Sequence, residues 1–289
     1  MSVQGIAVAG SDDAAQDLAA QHRKGIGWSG IVAPIIGFAV FVGLWYLMHY
    51  WALEALWDKP SFLITAPHRV VEDSYLEAIP REQMLRGLGW TTFVALTGLG
   101  ISIVLGMFLA IVMAQATWLE RSFWPYLIAA QAVPILAIVP IIGTIFGYGF
   151  SSRILVCVII SIFPIVSNTL FGLLSADRSQ HDLFTLHDAS RRTRLVKLQL
   201  PAALPAIFTG FRIAAGLSVI GAVVGELFFR RGSKGIGIVM DQYRQRTQYP
   251  LTYGALVLSS LLGIAVFMFF GWLGHAIVGR WHESTRKSS

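Results

Sequence analysis

The run TTFVALTGLGISIVLGMFLAIVMA at residues 91–114 contains no charged side chain. A helix needs about 20 consecutive apolar residues to cross the ~30 Å hydrocarbon core of a bilayer. This run is therefore long and apolar enough to form a membrane-spanning helix. Further predominantly apolar blocks occupy 28–51, 123–146, 154–174, 207–228 and 253–278. The pattern predicts an all-α, polytopic membrane protein with about six transmembrane helices.

The overall composition agrees with a membrane protein and excludes other classes. Of the 289 residues, 13% are charged, whereas about 25% are charged in an average soluble domain. The net charge of +6 comes from basic residues between the apolar blocks, as is usual at the ends of membrane spans, so we predict no nucleic-acid partner. Cys157 is the only cysteine, which excludes an internal disulfide and a cysteine-based metal site. We predict no metal ligands.

Prolines interrupt the third and fourth apolar blocks. The third block contains Pro125, Pro134 and Pro140, and the fourth contains Pro164. Each proline removes a backbone donor and is expected to kink or interrupt its helix. Such bends serve helix packing or shape a pathway across the membrane, and the sequence leaves both interpretations open. Pro134 and Pro140 are therefore candidate pathway residues.

Two polar intervals carry amphipathic patterns. Between the first two blocks, apolar residues at helical spacing follow Pro67 and stop at Pro80, which predicts a short helix at the membrane interface. The interval 177–200 holds five basic residues together with an apolar face, and it predicts two short amphipathic helices at the membrane surface. The residues alone leave open whether this second interval anchors to lipid headgroups or binds a soluble partner.

The second interval also carries the clearest resemblance to a known family. The segment DLFTLHDASRRTRLVKLQLPAALP at 182–205 resembles the loop shared by permease subunits of bacterial ATP-binding-cassette importers. FPIVSNTLFGL at 163–173, GFRIA at 210–214 and AVVGE at 222–226 are similar to the same family, in its nitrate, sulfonate, taurine and bicarbonate branch. Together these segments span most of the predicted membrane domain. The resemblance implies a transport subunit that forms a solute pathway by alternating access and is not itself an enzyme.

In that family the loop couples the permease to a separate cytoplasmic ATPase. The resemblance implies that a dimer of such ATPases carries ATP and Mg²⁺, and that a second permease copy, an extracytoplasmic solute-binding protein and membrane lipid are the other partners. The chain has no G-x-x-x-x-G-K-[ST] phosphate-binding run, so no cofactor is predicted on this subunit. Pro201 and Pro205 match the structural prolines at the end of the loop. The coupling residues implied by the match are Asp182, Leu183, Phe184, Leu186, Asp188, Ala189, Ser190 and Arg191.

The loop departs from the family pattern at its beginning and at its turn. Asp182 stands where the family has Glu, and Leu183 and Phe184 replace two alanines. Asp188 replaces a glycine that permits a left-handed turn between the two short helices. Aspartate is one of the few other residues that tolerate this conformation, and it is also able to cap a following helix. We therefore expect the turn to be retained.

The resemblance also predicts the orientation and the domain limits. Counting Lys and Arg on the two sides reveals no bias, but a coupling loop at 177–200 must be cytoplasmic. It follows that the N-terminus is cytoplasmic and that residues 229–252 are extracytoplasmic. The predicted organisation is a disordered cytoplasmic tail at 1–27, a permease domain at 28–279 and a cytoplasmic tail at 280–289, in a bacterial inner membrane.

Few polar groups lie inside the predicted spans. Arg212 either snorkels to the cytoplasmic interface or faces the pathway, and Glu226 is either an interfacial residue or a gate or salt-bridge partner. Asn168 is expected to bond across helices or to line the pathway. The deep interiors of the spans lack Asp and Glu, which disfavours the alternative of an ion-coupled secondary transporter, and no cluster of catalytic residues supports a membrane-embedded enzyme.

The sequence does not identify the solute. The branch resemblance suggests a sulfonate-like or taurine-like anion. The run IGAVVGE at 220–226 resembles relatives that carry vitamin or pyrimidine precursors. Both remain open.

Overall fold

The computed structural model describes residues 28–282, with side chains over 32–279. All regular secondary structure in this range is helical. The predicted tail at 1–27 lies outside the described residues, as do 283–289 of the predicted C-terminal tail. The chain forms two compact units, Met1–Pro67 and His68–Ser289.

The first unit contains the first apolar block. Helix α1 (Trp28–Leu47) continues through a π-helical turn into α2 (Leu53–Trp57). Side chains near the end of this block contact the backbone at residues 64–65. Trp45 Nε1 donates to the Thr65 carbonyl at 3.0 Å, and His49 Nδ1 lies 2.6 Å from the Ile64 carbonyl.

The second unit contains the remaining spans. It begins with a short helix that straddles the boundary, and its helices are connected by short loops. Their bounds are α3 Pro67–Val71, α4 Ala78–Ala114, α5 Thr117–Ala132, α6 Ile135–Phe146, α7 Phe150–Leu174, α8 Arg178–Leu186, α9 Arg191–Arg194, α10 Leu200–Phe228, α11 Ile236–Gln245 and α12 Tyr249–His282, with π-helical segments at Glu72–Leu76 and Leu195–Gln199.

Within residues 28–282, the predicted number of six spans is confirmed if one bent pair of helices counts as a span. Helices long and apolar enough to cross a membrane run over Val32–Trp57, Ala78–Ala114, Phe150–Leu174, Arg191–Phe228 and Tyr249–Gly279. The third block instead forms α5 and α6, which meet at an angle of 97°. Pro134 stands at the bend, in an extended conformation. The helices continue through Pro125, Pro140 and Pro164, so Pro134 is the one of these four prolines that interrupts a helix.

The predicted limit of the interfacial helix at Pro80 is wrong. The chain breaks earlier, at Glu77, and Pro80 lies in the first turn of α4. A proline is tolerated there because the first N–H groups of a helix have no intrahelical partner.

Close packing of α4, α7 and α10 forms the centre of the second unit. Cys157 of α7 is fully buried between glycines of the two neighbouring helices. A Cβ atom at Gly221 would lie 2.9 Å from Cys157 Cα, and one at Gly98 would overlap the Cys157 side chain. Ser102 and Ser161 bond to each other at 2.7 Å in the same region. The small residues therefore permit a backbone approach that larger side chains would prevent.

Candidate functional site

Two ends of the second unit carry its polar structure. The loop end holds residues 175–199, between α7 and α10. The cap end holds residues 229–248, between α10 and α12. The hairpin of α7 and α10 joins them, since both helices run from one end to the other.

The loop end contains two short helices joined by a left-handed turn. Asp188 has a φ of 49°, as the comparison with a family glycine predicted. The turn is closed by backbone bonds from Asp188 N to Thr185 O and from Ala189 N to Phe184 O, both 3.0 Å. Ser190 caps α9, because its Oγ accepts from Thr193 N. The cap is thus supplied by Ser190 and not by Asp188.

One face of α8 is exposed although it carries apolar side chains. Leu186 is 81% exposed and Leu183 is 53% exposed, and the neighbouring Asp182 is also exposed. We call these three residues the α8 surface. Phe184, in contrast, is half-buried. Arg194 Nη2 donates to Thr185 Oγ1 at 2.9 Å and ties α9 to α8, so the surface is presented by a folded hairpin.

The remaining coupling candidates lie close to this surface. Ala189 follows the turn directly, and Arg191 opens α9 with an exposed side chain. Pro201 and Pro205 lie at the beginning of α10, immediately after the π-helical segment Leu195–Gln199. The first turn of α10 accepts Pro201 because a π-helical segment shifts the backbone partners by one residue.

The cap end contains a buried carboxylate. Glu226 near the end of α10 is fully buried, and its oxygens lie 2.8 Å from Thr91 Oγ1 and 2.9 Å from Gly237 N. Thr91 Oγ1 also accepts from Ile236 N at 2.8 Å. Glu226 therefore binds the N-terminus of α11 directly and through Thr91, where the helix dipole favours a negative charge.

A buried guanidinium lies beside this carboxylate. Arg153 of α7 is 1% exposed. It donates to the carbonyls of Phe229 at 2.9 Å, Arg231 at 2.8 Å and Ser233 at 2.7 Å. One side chain of α7 thus satisfies three carbonyls of the segment that connects α10 to α11. Arg153 and Glu226 together hold the cap end onto the bundle.

The outer face of the cap end is basic and ordered. Asp241 of α11 is 5% exposed, and it forms ion pairs with Arg230 and with Arg244, the latter at 2.7 Å. Gln245 Nε2 donates to the same carboxylate at 2.7 Å. The two arginine side chains remain 52% and 63% exposed. A buried aspartate therefore positions cationic groups at the surface.

The predicted pathway residues do not form one cluster. Asn168 Nδ2 donates to the Pro164 carbonyl at 2.8 Å, within its own helix, and not across helices. Arg212 lies over the ring of Phe267, with Cζ 4.1 Å from the ring centroid. Glu226 belongs to the cap end. Among the described residues, no hydrogen bond or ion pair connects these three side chains.

Sequence reasoning missed several residues of the cap end. Arg153, Thr91 and Asp241 are not among the candidate residues named from the sequence. Their partners are distant in the sequence: Phe229 lies 76 residues after Arg153, and Glu226 lies 135 residues after Thr91. An isolated cation at the beginning of an otherwise apolar block was the one available signal for Arg153.

Residues 102–282 match the family model described as the binding-protein-dependent transport system inner membrane component. The chain belongs to this family. It is 34% identical over 223 residues to the formylaminopyrimidine transport permease protein of Halalkalibacterium halodurans, which covers 76% of this chain and 87% of that protein. It is 31% identical over 252 residues to the riboflavin transport system permease protein of Chloroflexus aurantiacus, covering 87% and 92%.

More distant relatives of the permease include a bicarbonate transport system permease protein of Synechococcus elongatus, 28% identical over 249 residues, covering 84% of this chain and 88% of that protein. Among solved structures, an amino acid ABC transporter with histidines matches with a TM-score of 0.53 at 16% identity, over 69% of this chain and 94% of that chain. That likeness supports the fold. The predicted family and fold class are thus confirmed: the chain is a multi-pass permease subunit of an ABC transporter for small solutes, and the family is one of transport proteins and not of enzymes.

Proposed function

We propose that this permease forms the solute pathway of an importer whose energy comes from a separate cytoplasmic ATPase bound at the loop end. The observation that carries the proposal is the α8 surface, where Leu183 and Leu186 are exposed on a folded hairpin. Exposed leucines in a soluble environment are a typical interaction surface when they cluster beside charged residues. A groove on the ATPase that accepts α8 would bury them.

The proposal assigns a mechanical role to the hairpin. ATP changes the permease only if it binds one global state of the complex more tightly than the other. A surface held by the bond between Arg194 and Thr185 is able to transmit such a movement to α10, because α9 leads directly into that helix. Two ATPases and two permease copies are the smallest symmetric assembly that lets both hairpins move together.

The orientation follows from the ATPase. If the loop end is cytoplasmic, the N-terminus is also cytoplasmic and the cap end faces outward. The outward basic face at Arg230 and Arg244, positioned by Asp241, then fits an acidic surface on a solute-binding protein. The names of the formylaminopyrimidine and riboflavin permeases support a small organic solute of the vitamin-precursor or pyrimidine-precursor class. A sulfonate-like or taurine-like anion is the other candidate.

Purification of the tagged chain from its native membrane tests the proposal. We expect a cassette ATPase with vanadate-sensitive activity to co-elute. The double substitution Asp182→Lys and Leu183→Lys is expected to release the ATPase, since it places two cations on the α8 surface. Glu82→Lys, at an exposed position of α4, is the control for the reversal of charge at Asp182 and is expected to retain the ATPase.

Two outcomes would oppose the proposal. Retention of the ATPase by the double variant would show that α8 is not the docking element. Elution of the wild-type chain alone in mild detergent, with transport that depends on an ion gradient, would instead favour the secondary transporter.

A further inference from the structure

An apolar groove runs along the outside of α10 and α12. It has a volume of about 590 Å³ and is lined by residues from both helices, including Gly216, Ile220, Ser260, Gly263 and Phe267. The glycines create the space, because a Cβ atom at Gly216 or Gly263 would have its nearest neighbour at 3.9 Å. Side chains of ordinary size at these positions would fill the groove.

A single cation lies against one end of the groove. The guanidinium of Arg212 stacks on Phe267, with Cζ 4.1 Å from the ring centroid, and Phe267 is also part of the groove wall. Gly271 leaves room for the side chain, since a Cβ atom there would lie 3.3 Å from Arg212 Nε. Arg212 is exposed, and no described residue accepts a hydrogen bond from it or forms an ion pair with it. Its five N–H donors therefore have no acceptor among the described residues.

The position of Arg212 along the bundle makes an unpaired cation costly. It lies close to the middle of the 29-residue helix α10. The apolar block that contains it, 207–228, begins five residues earlier, which places the Arg212 backbone about 8 Å inside the hydrocarbon core. Arginine at this depth normally faces a water-filled cavity or a charged partner and not lipid tails. The groove beside it is the cavity that the structure offers.

The other polar groups of the groove are neutral. Ser259 and Ser260 donate their hydroxyl hydrogens to the carbonyls of Ala255 at 2.8 Å and Leu256 at 3.0 Å, within α12. No carboxylate is among the residues that line the groove. The charge balance of this face therefore favours an anionic occupant, and its apolar walls favour one with a hydrophobic body.

We propose that the α10–α12 groove is a solute-binding site inside the membrane for a compact organic anion. Its sulfonate, carboxylate or phosphate group binds Arg212, and its apolar or aromatic body occupies the groove beyond Phe267. This inference rests on the proposed transport function and names a class of solute for it. A small inorganic anion would leave the apolar walls without contacts.

Charge-selective thiol labelling tests the groove without knowledge of the natural solute. Ser260→Cys places a thiol on the exposed groove wall, and the wild-type chain is the blank, because its single cysteine, Cys157, is fully buried. Membrane vesicles containing the variant are treated with anionic sulfonatoethyl or cationic trimethylammonioethyl methanethiosulfonate. We expect the anionic reagent to react faster. The ratio of the two rates is expected to fall about tenfold when Arg212→Gln is added, and to be restored by Arg212→Lys, because a cation about 10 Å away attracts one reagent and repels the other.

A ligand arm uses toluenesulfonate, with toluenesulfonamide as its neutral counterpart of the same shape. Toluenesulfonate is expected to slow labelling of Ser260→Cys only when Arg212 is present, and toluenesulfonamide is expected to have less effect. Failure of both water-soluble reagents to label the thiol would show that lipid or a second permease copy covers the groove, and would overturn the proposal. An unchanged ratio of anionic to cationic labelling rates in the Arg212→Gln variant would overturn the proposal as well. Co-elution of the ATPase is measured separately, so loss of this site and loss of the transport function are distinguishable.

Discussion

Replacing Thr91 by valine removes one hydroxyl from the cap end without changing the shape of the side chain. Thr91 Oγ1 accepts from Ile236 N at 2.8 Å and lies 2.8 Å from the oxygens of Glu226. Thr91 and Glu226 are both fully buried. Valine occupies the same volume, so the substitution creates no cavity. The hydroxyl also lies 3.1 Å from the Gly87 carbonyl of its own helix, a contact whose equivalent the control variant below loses as well.

The magnitude follows from what the hydroxyl leaves behind. An unsatisfied buried N–H costs about 1–3 kcal/mol, and a hydrogen bond to a charged group contributes about 1.5–3 kcal/mol. Glu226 keeps its bond from Gly237 N at 2.9 Å, so the lower part of the range applies to the carboxylate. We expect Thr91→Val to destabilise the protein by about 3 kcal/mol. For a domain of this size, about 2–4 °C per kcal/mol corresponds to a fall of about 6–12 °C in the melting temperature.

Thermal denaturation of the detergent-purified chain, followed by the loss of the monodisperse peak in size-exclusion chromatography, measures this effect. Thr97→Val is the matched control on the same helix, because Thr97 Oγ1 donates only to the Phe93 carbonyl of its own turn, in an exposed bond. We expect the control to shift the melting temperature by less than about 2 °C, as is usual for exposed substitutions. Equal shifts for Thr91→Val and Thr97→Val would refute the argument that Thr91 bridges α4, α10 and α11.

Three further predictions use other contacts. Gly98→Ala is expected to lower the melting temperature, because the new Cβ would overlap Cys157. Gly100→Ala, whose Cβ would have nothing within 4 Å, is expected to leave the melting temperature unchanged or to raise it. A lower melting temperature for both variants would point to backbone flexibility instead. Asp188→Gly is expected to preserve ATPase binding in a pull-down. Asp188→Val is expected to destabilise the turn by about 1–2 kcal/mol, because φ is 49° there. Equal ATPase binding by the two variants would exclude the conformational argument. Burial raises the pKa of Tyr75, so the folded state favours the neutral phenol. The melting temperature is therefore expected to fall as the pH rises above the ordinary tyrosine value of about 10. In melting curves recorded over a pH series, Tyr75→Phe is expected to reduce this fall, and an unchanged fall would exclude Tyr75 as its source.

The membrane-spanning helices were predictable because a span is a local property of the sequence. Any helix that crosses a bilayer must be long and apolar. The blocks at 91–114 and 154–174 meet that condition without reference to any other part of the chain. The bend at Pro134 was only partly predictable. Pro125, Pro140 and Pro164 lie in helices that continue, so a missing donor does not by itself decide where a helix ends. The conformation of the neighbouring Val133, which is extended, completes the break.

The turn at the loop end was predictable for a different reason. A left-handed residue is needed between α8 and α9, and few residues other than glycine adopt that conformation at low cost. Asp188 is one of them, and its φ of 49° agrees. The cap of α9 was harder to assign, because Asp188 and Ser190 are both good capping residues. The cap belongs to the residue immediately before the helix, and only the structure shows that α9 begins at Arg191.

The polar network of the cap end was not predictable, and its chemistry explains why. A buried charge is stable only when several partners from distant parts of the chain converge on it. Arg153 and Glu226 satisfy this condition with backbone groups of residues 229–237, which carry no signal in the identity of the side chains. Because these partners are backbone groups, most positions of the loop are able to hold any side chain. The exception is a position where the loop backbone lies in close contact with the buried side chain. Gly235 is such a place, since any Cβ atom there would overlap the Glu226 carboxylate. The glycine in the loop and the glutamate in the span are thus two parts of one contact, and each explains why the other residue type is needed.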